Sequence, residues 1–156
     1  MATARRQIAI SAQLRRAAKA DLPRLNALMK SVRAYQGVYG TILENYALGD
    51  VQLQRDRIFL AEDGGNILGF YSLIVVGEPE LDLMFVADAA QGTGLGKILF
   101  DHMRETARAH RIASVLIVSH PPSAGFYERM GAVRDGMKQP SGGATWDRPI
   151  LRLAVG

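Results

Sequence analysis

The sequence predicts an α+β fold in three layers, a mixed and mainly antiparallel central sheet of about seven strands with about four helices covering both faces. Three observations carry this expectation. Strand-like runs rich in β-branched and aromatic residues follow one another between 57 and 86 with only turn signals between them, the pattern of an antiparallel meander. A long amphipathic helix, Gly94 to His110, comes next. Beyond it the continuous apolar run Ala113 to Val118 reads as a buried strand, followed by a short helix and two further strands.

In chain order, Ile8, Ile10, Ala12 and Leu14 alternate with Ala9, Ser11, Gln13 and Arg15 at the period of a strand. Asp21-Leu22-Pro23 then reads as a helix start, with Asp21 as cap and Pro23 early in the first turn, and Leu22, Leu25, Leu28, Met29 and Val32 as the buried stripe. A weaker helical stretch lies between Ile42 and Arg55 and is broken near Gly49-Asp50. Arg57 to Glu62 and Ile67 to Val76 flank a hairpin turn at Asp63-Gly64-Gly65-Asn66, and Gly77-Glu78-Pro79 turns the chain into Glu80 to Val86. On the long helix, Leu95, Ile98, Leu99, His102, Met103 and Thr106 form the inner stripe, with Lys97, Asp101, Arg104, Glu105 and Arg108 mostly outside. A short helix from Ser123 to Met130 is stopped by Gly131, and the last strands lie at Val133 to Lys138 and Pro149 to Leu153.

The length of 156 residues suits a single domain spanning 1–156. Ordinary apolar and charged contents, 48% and 22%, exclude a disordered or coiled-coil chain. Apolar stretches such as Leu73 to Val76 fall far short of the ~18 residues of a membrane span. With no cysteine, disulfide frameworks, thiolate metal sites and cysteine nucleophiles are excluded, and a cytoplasmic location is expected. His102 and His110 lack ligand spacing, so no metal is expected. The net charge of +4 is uneven: Arg5, Arg6, Arg15, Arg16, Lys19, Arg24, Lys30 and Arg33 face Asp21 alone in the first 33 residues, and the rest of the chain is net acidic. Basicity confined to one segment argues against nucleic acid as the partner and is read as solvation of the outer faces of a strand and helix. Gln7, Gln13 and Arg15-Arg16 interrupt any secretory apolar region near the start.

The most informative stretch is Gln91-Gly92-Thr93-Gly94-Leu95-Gly96-Lys97, a glycine-rich turn between a strand end and a helix start, where free amides and the helix dipole favour a phosphate. It is not a P-loop, since Gly92 and Gly96 enclose three residues instead of four and Lys97 is followed by Ile98. A dinucleotide fingerprint fails as well, with Lys97 in place of the last small residue and no acid about 20 residues on, where Ile112 and Ala113 stand. Gln91, Gly94 and Gly96 do match Gln/Arg-x-x-Gly-x-Gly/Ala. Further on, Ser119-His120-Pro121-Pro122-Ser123 leads into Phe126-Tyr127-x-x-x-Gly131. In these two stretches, and in element order over about residues 5–153, the chain resembles the GNAT superfamily of acyl-CoA-dependent N-acyltransferases. It departs from the usual pattern at His120, where many relatives carry Asn or Asp, and at Ser123, where Ala is frequent.

The resemblance implies a GNAT-like sheet and an N-acetyltransferase that moves an acetyl group from acetyl-CoA to a primary amine of a small molecule, peptide or protein. The alternative is a non-catalytic acyl-CoA-binding module of the same fold; homodimers are common among similar proteins. Met84, Phe85 and Val86 would hold the pantetheine arm through their backbone, and Gln91, Gly92, Thr93, Gly94, Leu95, Gly96 and Lys97 the pyrophosphate. Ser119, His120, Phe126 and Tyr127 would complete the cofactor site, with the Tyr127 phenol serving the departing sulfur. An aliphatic amine with a pKa of ~10.4 is about one part in a thousand neutral near pH 7, so a base is needed. Glu80 and Asp82, two apart on one strand, are expected to share a face opposite Leu81, Leu83 and Phe85 and to serve as that base. By the same resemblance, the amine pocket would draw on Val32 to Tyr46 and Gly136 to Arg148, with Tyr35, Tyr39, Tyr46 and Trp146.

Overall fold

The computed structural model describes residues 11–35, 43, 46–141 and 144–156, and among the described residues there are seven strands and four α-helices. The expected contributions of Arg5, Arg6, Ile8, Ile10, Tyr39 and Ile42 lie outside the described residues. The strands are β1 (Gln13–Arg16), β2 (Arg57–Asp63), β3 (Asn66–Ile74), β4 (Glu80–Val86), β5 (Ser114–Val118), β6 (Val133–Lys138) and β7 (Arg148–Ala154). The helices are α1 (Leu22–Ser31), α2 (Asp50–Arg55), α3 (Leu95–Ala109) and α4 (Ala124–Arg129). All strands form one sheet in the order β1-β2-β3-β4-β5-β7-β6, antiparallel except for the β4–β5 pair.

The meander closes as expected. Asp63 pairs with Asn66 across Gly64 and Gly65, both at positive φ, which is the backbone a two-residue hairpin with the sheet's own twist demands. Apolar side chains then divide between the two faces. Leu95, Leu99, Phe100, Met103 and Ala107 of α3 bury against Tyr71, Leu73, Val115, Ile117, Leu151 and Leu153. Leu25, Leu28 and Met29 of α1 and Leu53 of α2 bury against Ile58, Leu60, Phe70 and Phe85. The inner stripe of α3 is displaced from the expected one: Phe100 is fully buried, Ile98 is exposed, and His102 sits at the margin with its Nδ1 2.7 Å from the buried Tyr71 hydroxyl.

Two further expectations are corrected. Asp21 does not cap α1 with its side chain. It is 3% exposed, and its carboxylate accepts the Ala18 N–H at 2.7 Å, both Nη atoms of Arg15 at 2.8 and 2.9 Å, and Nη2 of Arg24 at 3.0 Å. Arg15 also donates from Nε to Glu62 at 2.8 Å, so these arginines bind β1, β2 and the head of α1 together and do more than solvate a face. Arg15 holds the Asp21 carboxyl far below the ordinary carboxylate range.

The second correction lies in β4. Ser72 faces Leu83 but Leu73 faces Leu81, so Asp82 is an extra residue, a β-bulge. A bulge shifts the alternation by one, and Leu81 therefore packs on the α3 side while Leu83 and Phe85 pack on the α1 side. The expectation that Leu81, Leu83 and Phe85 share a face fails for this reason, and with it the simple equivalence of Glu80 and Asp82.

Candidate active site

Strands β4 and β5 run parallel but pair at one position only, Glu80 with Leu116, reinforced by the Leu116 N–H to the Pro79 carbonyl at 2.9 Å. Beyond that bridge they pair no further, and the space between them is a cavity walled by Leu81–Phe85 on one side and Ile117, Val118 and His120 on the other. The bulge at Asp82 places its carboxyl in this wall. Tyr35, Tyr46, Trp146 and Arg148 complete a chamber of about 210 Å³.

A second, larger groove of about 540 Å³ opens on the side of the glycine turn. Its floor is Met84, Phe85 and Val86; its walls include Gln91, Gly92, Gly94, Gly96 and Lys97 on one side and Pro122, Ser123, Phe126 and Arg129 on the other. Gly94 stands at φ +91° immediately before α3, and nothing lies within 4 Å of where a Cβ would be, so the backbone there faces open space. Gln91 is held by its side-chain amide, which donates to the Val86 carbonyl at 3.2 Å. Chamber and groove share Tyr35, Met84, Phe85 and Tyr127, so the two spaces adjoin at these four residues.

Several candidate residues have other surroundings. Thr93 is buried, donating its hydroxyl to the Ala90 carbonyl and accepting the Leu95 N–H at 3.3 Å, and Leu95 is fully buried in the core. Ser119 is buried and donates to the His120 carbonyl at 2.7 Å. His120 follows β5 in a loop, yet it is 6% exposed and its ring stacks on Tyr35 with centroids 4.1 Å apart. It lines the chamber rather than the groove. Glu80 lies outside the lining of both spaces, whereas Asp82 is in the chamber. Tyr35 and Arg129 were not among the candidate cofactor residues, yet both line the groove. Arg129 follows Tyr127 by two positions and ends the six-residue helix α4.

The electrostatics separate these groups further. Burial and the nearby Asp56 carboxylate push Asp82 up, with Arg55 opposing. Glu80 is also raised, by burial first and then by Asp82. Burial raises the Tyr127 phenol well above its ordinary value and pushes Tyr35 up to about 12, so both rings face the junction as neutral donors at neutral pH. Among the described residues there is no group of three or more His, Asp or Glu side chains able to hold a metal, and no helix long and apolar enough to cross a membrane.

The model of the acetyltransferase (GNAT) domain family matches residues 29–146, most of the chain. The 5-NmdU N-acetyltransferase of Pseudomonas phage PaMx11 is 39% identical over 77 residues, covering 47% of this chain and 55% of the phage protein, so the chain spans about half the length of that curated relative. In fold, the chain is similar to a GCN5-related N-acetyltransferase of Rhodopseudomonas palustris, with a TM-score of 0.77, 19% identity, and coverage of 92% of this chain and 96% of the other. The Salmonella typhimurium protein yncA, solved with acetyl-CoA, gives a TM-score of 0.72 at 17% identity, covering 93% and 94% of the two chains.

Proposed function

The chain belongs to the GNAT acetyltransferase family, and from that premise we propose that it transfers the acetyl group of acetyl-CoA to a primary amine by direct attack on the thioester. The observation that carries this reading is the juxtaposition of a glycine-lined groove and an aromatic chamber that holds Asp82, the two adjoining at Tyr35, Met84, Phe85 and Tyr127. The residues present suit the cosubstrate. The start of a 15-residue helix, an open backbone at Gly94 and the cations Lys97 and Arg129 favour a pyrophosphate, while the β4 edge at Met84–Val86 is free to pair with an amide-bearing arm.

The amine enters from the chamber. Its nitrogen attacks the thioester carbonyl carbon, the C–S bond breaks, the amine proton passes to Asp82 directly or through water, and the thiolate takes a proton from solution or from Tyr127. The phage relative's acceptor, 5-NmdU, belongs in the first substrate panel beside simple alkylamines and peptides.

Acetyl-CoA is expected to raise the melting temperature, and release of free thiol in the presence of an amine to report turnover. Stabilisation with no thiol release from any amine would leave a non-catalytic acyl-CoA-binding module. Tyr127 offers a finer test. A thiolate with a pKa of ~8.5 can leave unaided, so the phenol is expected to contribute a hydrogen bond and late proton delivery worth roughly ten- to a thousandfold in kcat. Tyr127→Phe retains the packing against Phe100 and Phe126 and is expected to change acetyl-CoA affinity little while lowering kcat by that amount. Wild-type kinetics in this variant would reduce Tyr127 to a packing residue.

A further inference from the structure

The acceptor chamber carries more information than an amine alone requires. Two of its rings are held in place. Tyr35 stacks on His120 with centroids 4.1 Å apart and leans on Phe85 at 4.9 Å. The Tyr46 hydroxyl accepts a hydrogen bond from Gln52 Nε2 at 2.8 Å, and Gln52 in turn accepts the Gly49 N–H at 3.2 Å, so this ring is held from the head of α2. Asn26 fixes the approach to α2 with a reciprocal pair to Leu48, at 2.8 and 3.2 Å. Trp146 supplies a further ring to the same space. Rigid aromatic walls favour a flat guest over a flexible chain, because stacking is available and little side-chain freedom remains to be lost.

Size admits a ring. An engineered cavity of about 150 Å³ accepts benzene. The chamber of about 210 Å³ has room for one substituted six-membered ring beside its junction with the groove. Arg148 supplies the remaining specification. Its Nη2 donates to Ser141 Oγ at 3.1 Å, while its Nε is buried and has no hydrogen-bond partner among the described residues. A buried guanidinium donor without a partner is costly, and a guest that brings an oxygen to it removes that cost.

We propose that the acceptor is a primary amine on a short arm of a single planar aromatic or heteroaromatic ring whose other side bears a carboxylate or carbonyl oxygen, received by Arg148. The ring lies among Tyr35, Tyr46 and Trp146, and the arm points to the junction at Tyr127. This rests on the acetyltransferase reading and narrows it.

The test compares 4-(aminomethyl)benzoate, its carboxamide, benzylamine, cyclohexylmethylamine, hexylamine and a peptide with N-terminal alanine, by thiol release from acetyl-CoA. The two oxygen-bearing ring amines are expected to exceed benzylamine in kcat/KM by on the order of ten- to a hundredfold, the worth of a hydrogen bond to a charged group. Which of the two leads identifies the oxygen as carboxylate or carbonyl. Arg148→Met is expected to bring their advantage over benzylamine close to one, and Arg148→Lys to an intermediate ratio, since the charge stays but the fork is lost. Trp146 is the single tryptophan of the chain, so its emission gives a binding readout that needs neither turnover nor a variant. Saturable change with 4-(aminomethyl)benzoate and none with cyclohexylmethylamine is expected. Hexylamine or the peptide matching the ring amines, or an oxygen advantage that survives Arg148→Met, overturns the proposal while leaving an acetyltransferase. Absence of thiol release with every amine, together with no stabilisation by acetyl-CoA, overturns both.

Discussion

Gly94→Glu is expected to abolish measurable acetyl-CoA binding in a protein that still folds. Gly94 is the residue before α3, at φ +91°, and its missing side chain leaves open space on the groove side. A larger residue there displaces nothing in the core, so the fold bears only the backbone strain of a left-handed non-glycine residue, roughly 1–2 kcal/mol. The ligand meets a different obstacle. A carboxylate would stand where the free amides and the positive end of the helix dipole attract a pyrophosphate, and two like charges about 4 Å apart near a surface repel by about 4 kcal/mol, roughly a thousandfold in affinity. Gly94→Ala separates the two effects, because it carries the strain without the charge and is expected to lower the melting temperature while retaining most of the affinity. Isothermal titration on both variants, after their thermal unfolding has been compared with wild type, decides the matter. Wild-type affinity in a folded Gly94→Glu protein would remove the pyrophosphate from this turn.

That prediction was already legible in the sequence because it depends on local chemistry. A glycine between a strand end and a long amphipathic helix announces a left-handed turn wherever the rest of the chain lies, and the Gly64-Gly65 hairpin is readable for the same reason. The features that define the chamber are not local. A β-bulge leaves no mark in hydrophobic periodicity until its partner strand is known, and strict alternation therefore grouped Leu81 with Phe85 across what is in fact a change of face. Asp21 looked like a helix cap because the cap pattern is short-range. Its real partners include Arg15, six residues earlier, and Arg15 in turn binds Glu62, which the pairing of β1 with β2 brings near. Arg148 and Tyr35 lie more than a hundred residues apart, and only the divergence of β4 from β5 makes them walls of one chamber.

Asp82→Asn is expected to lower kcat by about 10²–10⁴ at neutral pH, the usual worth of general-base assistance, whereas Glu80→Gln is expected to cost far less. The bulge separates the two carboxylates: Asp82 enters the chamber beside Leu83 and Met84, and Glu80 sits at the bridge to Leu116, outside the lining. Both are raised by burial, so pKa alone does not distinguish them, and access to the amine does. The pH dependence follows from the direction of the shift. Burial and Asp56 hold the Asp82 proton to higher pH than an ordinary carboxyl, and only the deprotonated form accepts a proton from the amine. The wild-type rate should therefore rise on its acid side at a pH above the usual carboxylate range. Asp82→Asn should lack that limb and recover rate as pH approaches the ~10.4 of a free alkylamine, where the amine supplies its own neutral form. Near-wild-type profiles for Asp82→Asn, or an equal loss in Glu80→Gln, would move the proton to ordered water or to Glu80. Tyr127→Phe measured over the same range completes the assignment, since a group serving the leaving sulfur should lower the plateau without moving the acid limb.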